Sequence, residues 1–463
     1  RNLHLNVPKC VALQFNPQWG EAPPQPLSAG GVPFPLGPPE GSLYLGIMCD
    51  QQLSPVTMAD HRSRCFVSTF AAALSNLRAA VSCVPASPSV VLRLLHMVAE
   101  PAGLYGCEMW GLLGVRVVAG SDRLAALYTL SDPLERHRCI ALRRHFRIPH
   151  HVPKLALLHE LGCVPLVHQY VLRAVGLYNR MRVAGSSYEA IMQHHVRLGL
   201  TGLPSRGQGT WIRALFDVLR VLLPSGRWHR TLMALDPIPV PDVAAALKVA
   251  YATYTSSLRL VQSGDGSRVG FYFREVGSHT LGTLPPYLSA GCSRDSIRAC
   301  LRFRLGCHFL RVHTGRLDRP IVPRPSRLCQ RCHVQQVDDE HHCLFDCQHP
   351  DLLRARSAFV ASLPSGHVPI TFQQIFQAAA LDRRQLRLAV RFVAECYHIA
   401  EACNRLQQAG AAPPLGLHPV LALLPVDELD LFDSASDSSL PVDNHLDSLN
   451  SSRATSSELV EVV

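Results

Sequence analysis

Between Leu328 and Cys347 the chain reads LCQRCHVQQVDDEHHCLFDC, two close cysteines, a histidine pair and a final cysteine within twenty residues. Such an array is a metal-binding pattern. Zinc takes four soft or borderline donors in a tetrahedron, and a Cys-x2-Cys turn offers two thiolates to one ion without strain. The ligand set read from the spacing is Cys329, Cys332, His342 and Cys347, with His341 and Cys343 as neighbours that could substitute. Four residues separate His342 from Cys347, about one helical turn plus one residue, which keeps both side chains near one face. Four protein ligands leave no open position for a catalytic water, so the zinc is expected to be structural. The competing reading is a pair of buried free cysteines beside a surface histidine cluster.

Other reactive residues point less sharply. Arg302, Arg304, Arg311 and Arg316 interleave with Phe303, His308 and Phe309 just ahead of the cysteines, and Arg327 adjoins them. Guanidinium groups beside aromatic rings suit single-stranded RNA, held through phosphate pairing and base stacking. An amphipathic helix with an arginine face competes with that reading, because arginine stems also cover apolar surface. The chain has 23 histidines but neither His-Glu-x-x-His nor Gly-x-Ser-x-Gly, so no hydrolytic site is read. His137, His145, His150 and His151 lack cysteine partners and are read as a basic surface that gains charge below neutral pH. Gly264, Gly266 and Gly270 match no phosphate-loop spacing and are read as a turn between two strands.

The elements that must position these residues are mostly helices. Apolar residues at Cys65, Phe66, Phe70, Ala73, Leu74 and Leu77 recur at spacings of three and four until Pro85 and Pro88 interrupt them. Val90–Val98, SDRLAALYTL, DPLERHRCIALRRHF, VPKLALLHELG, PLVHQYVLRAVGLYNRMR, PDLLRARSAFVASL and the run from Phe372 to Leu406 continue in helical register. Strand-like patterns are confined to LHLNV, VALQF and SLYLGI near the N-terminus, around a Pro/Gly-rich loop from Glu21 to Gly41, and to LRLVQSGDGSRVGFYFREV.

Charge is uneven along the 463 residues. The formal net charge is +10, yet the segment from Val426 to Val463 holds nine acids against Arg453, which leaves +18 on residues 1–425. A body this basic is suited to a polyanion, nucleic acid above all. Only Lys9, Lys154 and Lys248 are lysines; the other 42 basic residues are arginines, which grip phosphate bidentately. No apolar run approaches the roughly 20 residues a membrane span needs. Sixteen cysteines without a signal peptide or a paired framework argue for reduced thiols, hence nucleus or cytoplasm, and a start at Arg1 reads as an internal boundary.

With these elements placed, the order of motifs resembles the C-terminal part of a non-LTR (LINE-type) retrotransposon reverse transcriptase. Leu5, Asn6, Val7 and Lys9 look like the palm segment beyond the catalytic aspartates, and Tyr44, Leu45 and Gly46 like the family's Tyr-Leu-Gly motif. Pro101, Leu104, Tyr105, Gly106, Glu108 and Trp110 are similar to its thumb-end signature. LERHRCIALRRHF and ALLHELGCVPL resemble the helical region beyond the thumb, and CLRFRLGCHFLRVHTGRLDR with the cysteine array resembles the family's ending. The resemblance implies a mainly α fold: a palm remnant of small β structure (1–50), thumb-like helices (51–118), a helical connector with a hairpin near 257–276 (119–320), a CCHC zinc knuckle (321–350), C-terminal helices (351–406) and a disordered acidic tail (407–463).

It also implies partners, RNA or DNA, without a membrane. The family's two magnesium ions sit on palm aspartates that include a Tyr-x-Asp-Asp turn. No such turn occurs here; the one Asp-Asp pair, Asp338–Asp339, lies inside the cysteine array and reads as a solvated turn. Magnesium is therefore expected only in an intact polymerase, and no polymerisation is expected from this chain alone. The function expected is nucleic-acid binding through the basic helical region and a structural zinc knuckle. The rival is a non-enzymatic helical scaffold whose zinc module binds other proteins.

Overall fold

The computed structural model describes residues 28–29, 32–33, 42–44, 47–49, 55–80, 87–114, 127–128, 132–183, 188–201, 210–223, 228–260, 268–277, 281–315, 318, 320–363, 371, 374–376 and 382–408. Two short antiparallel ladders come first. Strands β1 (Ser28–Ala29) and β2 (Val32–Pro33) pair, and β3 (Ser42–Tyr44) pairs with β4 (Ile47–Cys49), Ser42 opposite Cys49. The first ladder falls within the segment read as a loop, and in the second β3 ends at Tyr44 and the antiparallel β4 begins at Ile47, where one continuous strand was read.

The described residues beyond these are mainly helical: α1 (Pro55–Ala80), α2 (Pro88–Leu94), α3 (Pro133–Phe146), α4 (Lys154–Glu160), α5 (Leu166–Met181), α6 (Glu189–Thr201), α7 (Trp211–Leu222), α8 (Trp228–Met233), α9 (Val240–Leu260), α10 (Arg294–Arg304), α11 (Pro350–Ala361) and α12 (Arg383–Gln408). Single helical turns join several of them, including a π-helical turn at Leu95–Ala99. No helix among the described residues is long and apolar enough to cross a membrane.

Local chemistry explains where the helices start and stop. Asp132 caps α3, its carboxylate accepting the N–H groups of Leu134 and Glu135, with Pro133 at the first helical position. Ser293 caps α10 through the Ser296 N–H. That helix ends at Gly306, whose φ of 65° lets Cys307 N–H reach Arg302 O and Gly306 N–H reach Phe303 O. In α10 Ile297, Cys300, Leu301 and Phe303 are buried, α12 packs alongside, and its Ala389, Val393 and Cys396 are buried in the same apolar core, while Arg298 and Arg302 are only partly buried.

The residues read as a thumb-end signature pack in part. Leu104 and Trp110 are buried, and the Trp110 ring meets Tyr170 with centroids 5.6 Å apart while its indole N–H donates to Tyr105 O. Tyr105 stays half exposed under the Arg62 guanidinium. The core extends without a break from α1 to α12, and the described residues belong to one compact unit, Arg1–Pro413.

One element is corrected. The hairpin expected near 257–276 is helical wherever it is described: α9 runs through Leu260, and a helical turn at Arg268–Phe271 continues into a π-helical turn at Tyr272–Val276. Buried Tyr251 and Thr255 keep the four-residue spacing, with Thr255 Oγ1 donating back to Tyr251 O, and Tyr272, Phe273 and Val276 are buried at spacings that alternation would split. The Gly-Asp-Gly turn at 264–266, the strand patterns at LHLNV and VALQF, and the acidic tail beyond Gln408 lie outside the described residues; α12 itself takes in the first two residues assigned to the tail.

Candidate metal centre

A two-rung hairpin holds the first pair of cysteines. Cys329 N–H donates to Gln336 O, Asp338 N–H donates to Arg327 O, and Leu328 bridges Val337 between them, so Cys329 and Cys332 project from one tight loop. The second pair rides on a π-helical turn, His342–Asp346, closed by Cys347 N–H on His342 O. Its five-residue hydrogen bond absorbs the residue by which the His342–Cys347 spacing exceeds an α-helical turn. Asp339 starts that turn by accepting the His342 N–H.

Cys329, Cys332, His342 and Cys347 converge as read from the sequence. Their Sγ and ring nitrogen atoms all lie within 4.8 Å of one another, a group able to hold a metal ion. Cys329 Sγ is 3.8 Å from Cys347 Sγ, and Cys332 Sγ is 3.3 Å from His342 Nε2. With Zn–S about 2.3 Å and Zn–N about 2.0 Å, the edges of a regular tetrahedron are about 3.8 Å and about 3.5 Å, so the donor set is compatible with zinc. His342 Nδ1 lies 2.8 Å from Gln336 Oε1; the Nδ1–H that donates there leaves the Nε2 lone pair on the cysteine side. Both alternative ligands turn away. His341 is exposed and pairs with Asp346, and Cys343 is buried in the core, where burial pushes its thiol up.

The electrostatics prepare the thiols for a cation. The hydrogen bond to Cys347, and then burial, push Cys329 up to about 12. Cys347 is held below its usual range by that same bond and, against burial, by the backbone N–H of His349. A divalent ion between them replaces the shared proton and stabilises both thiolates. Three thiolates and a neutral imidazole around such an ion leave one negative charge, and the buried Arg331 lies in the field of these sulfurs while pairing with Asp338.

Asp338 is thus buried, not in the solvated turn expected for the Asp-Asp pair; it also accepts the Arg311 N–H, and its carbonyl accepts the Val312 N–H. Arg356 of α11 ties the turn to the body by donating to Leu344 O and Cys347 O.

The arginines read as nucleic-acid contacts divide. Arg304 is buried and forms an ion pair with Glu160, with Nη2 3.2 Å from Oε2; Tyr272 and Tyr287 hydroxyls complete the carboxylate at 2.7 and 2.5 Å, and the guanidinium stacks on the Tyr287 and Phe376 rings. Arg327 is fully buried, donating to Val322 O and Val312 O, its stem packed where a Cβ on Gly315 would sit 2.8 Å from its Cγ. Neither can reach a phosphate, because each is committed to the interior. Arg311 is partly exposed and pairs with Asp318, Arg302 is half-buried at the α10 surface, and Arg316 lies outside the described residues.

Of the histidines read as a basic surface, His150 and His151 are exposed, and His137 Nδ1 is bonded to Pro133 O. Sequence reading passed over Glu160, Gln336 and Glu340, the last being the buried partner of His308 at 2.7 Å. The single carboxylate in the apolar run LALLHELG was the available signal for Glu160. No family model, curated protein or solved structure matches the chain.

Proposed function

We propose that this chain is a nucleic-acid-binding part of a non-LTR retrotransposon reverse-transcriptase-like protein, in which a structural zinc ion on Cys329, Cys332, His342 and Cys347 fixes the region after α10 against the helical body. One observation carries the reading: four donors of the right kind close on one point, inside a body that holds +18 over residues 1–425. Zinc supplies cross-linking and no chemistry here, since a fourth protein donor fills the position a reactive water would need. No Tyr-x-Asp-Asp occurs in the sequence, so no residue of this chain is assigned to polymerisation.

Binding would rest on phosphate neutralisation by arginine, which carries a characteristic salt dependence. The test is a titration of the intact, zinc-loaded chain into labelled structured RNA and single-stranded DNA at several salt concentrations, with and without a zinc chelator. Affinity that falls linearly in log–log form with salt and drops on chelation supports the reading. Absence of binding by a folded, zinc-loaded chain sinks it and favours the protein-binding scaffold.

A further inference from the structure

With Arg304 and Arg327 committed to the interior, the surface that meets phosphate must be built elsewhere. α10 and α12 pack side by side. Arg298 and Arg302 stand four residues apart on α10, and Arg383, Arg387 and Arg391 four apart on α12, which sets each row on one helix face in steps of about 6 Å. Arg147, at the end of α3, adjoins the first row: Arg302 Nε and Nη2 donate to its carbonyl at 3.0 and 2.7 Å. Arg383 and Arg387 of the second row converge on Gly291, where a Cβ would lie 3.3 Å from Arg387 Nη2 and 3.4 Å from Arg383 Nη2.

These charges are oriented without being neutralised. Arg302 also donates to the Tyr397 hydroxyl, Arg298 to His145 O and Arg387 to Ala290 O, all uncharged acceptors. Among the described residues the one carboxylate in ion-pair reach of the six is Asp295, 3.8 Å from Arg298 and itself 79% exposed. The side chains of Arg147, Arg383 and Arg391 are exposed and have no hydrogen-bond or ion-pair partner among the described residues. Arg298 shows the resulting potential: burial, and then the like charges of Arg294, Arg147 and Arg302 against Asp295, lower it to about 10. A bound anion relieves that repulsion, and arginine forks suit phosphate.

We propose that Arg147, Arg298 and Arg302 with Arg383, Arg387 and Arg391 form a two-row docking surface for the backbone phosphates of a nucleic-acid strand. This rests on the nucleic-acid reading and locates its contacts. Pre-oriented guanidinium groups lose less freedom on binding than free side chains, so the inner members set register while the exposed Arg147, Arg383 and Arg391 add charge.

The experiment compares the full chain with a triple variant, Arg147→Asn, Arg383→Gln and Arg391→Gln, in binding a fluorescein-labelled RNA oligonucleotide and a DNA duplex from low to high salt. Asparagine is chosen because it tolerates the left-handed backbone of Arg147, φ 53°. Zinc content and thermal midpoint verify the fold. The expected slope of log affinity against log salt shrinks by about 2 for the single strand and about 3 for the duplex, with affinity near physiological salt lowered on the order of tenfold. The matching lysine variant at all three positions should recover most of the slope.

A triple variant with wild-type slope and affinity overturns the surface and leaves the nucleic-acid reading standing. A wild-type chain that is folded, zinc-loaded and binds neither probe overturns both. Recovery by lysine that fails although both variants are folded also counts against the surface, because charge would then not be the recognised feature.

Discussion

At Gln336 a single amide governs the metal site without touching the metal. Its Oε1 fixes the His342 tautomer, so Gln336→Leu should leave the fold intact and weaken zinc affinity about 10- to 100-fold, measured by competition with a chromophoric chelator. Glu160 has the opposite character, deep in the body and far from any ligand role. Its carboxylate is the counter-charge of buried Arg304, and Glu160→Gln should cost about 3–5 kcal/mol in chemical denaturation, because an uncompensated guanidinium remains inside. These two residues mark what a sequence can disclose. Cys329, Cys332, His342 and Cys347 were legible because metal ligation imposes residue type and spacing together. Arg304 and Arg327 were not: an arginine beside aromatic residues has the same one-dimensional pattern whether it faces solvent or a buried carboxylate, and Glu160 lies 144 residues from its partner.

Helix α5 carries an imidazole whose titration should register in stability. His168 is buried beside the Tyr128 hydroxyl, 3.0 Å from its Nε2, and burial lowers it to about 4. Its folded value lies below the unfolded one of about 6.5, so the unfolded chain binds the proton first and the stability is full above pH 6.5. Between pH 6.5 and 4 it should fall by about 3 kcal/mol, and His168→Gln should flatten that part of the profile when melting midpoints are compared. The long helices were readable from their apolar spacing, as in α1, α3 and α5. The stretch near 257–276 was misread because glycines around a short polar link look alike in a hairpin and in a helix–helix connection. Burial of Tyr251, Tyr272 and Phe273 in one core decides between them, and that depends on distant elements. The π-helical turn at His342–Asp346 was half legible, since the spacing exposed the extra residue but not how the backbone absorbs it.

Across the whole molecule, one core joins the helices before the cysteine array to those after it, and the metal centre sits where the small hairpin, α11 and α12 meet. The metal therefore cross-links segments the core also holds, so its loss should release the hairpin and the His342–Asp346 turn before the helical body. Hydrogen exchange before and after chelation should show new exposure confined to about residues 327–347, with α5 protected; uniform exposure of the body would contradict this division. The basic balance and the paired arginine rows belong to this scale as well, because neither row is a motif until α10 and α12 pack together. Zinc K-edge absorption of the intact chain, with metal content measured alongside, tests the centre of the account most directly. The expected result is one zinc per chain with three sulfurs at about 2.3 Å and one nitrogen at about 2.0 Å, lost in Cys347→Ser. A folded chain without stoichiometric zinc, or a zinc surrounded mainly by oxygen, would contradict it.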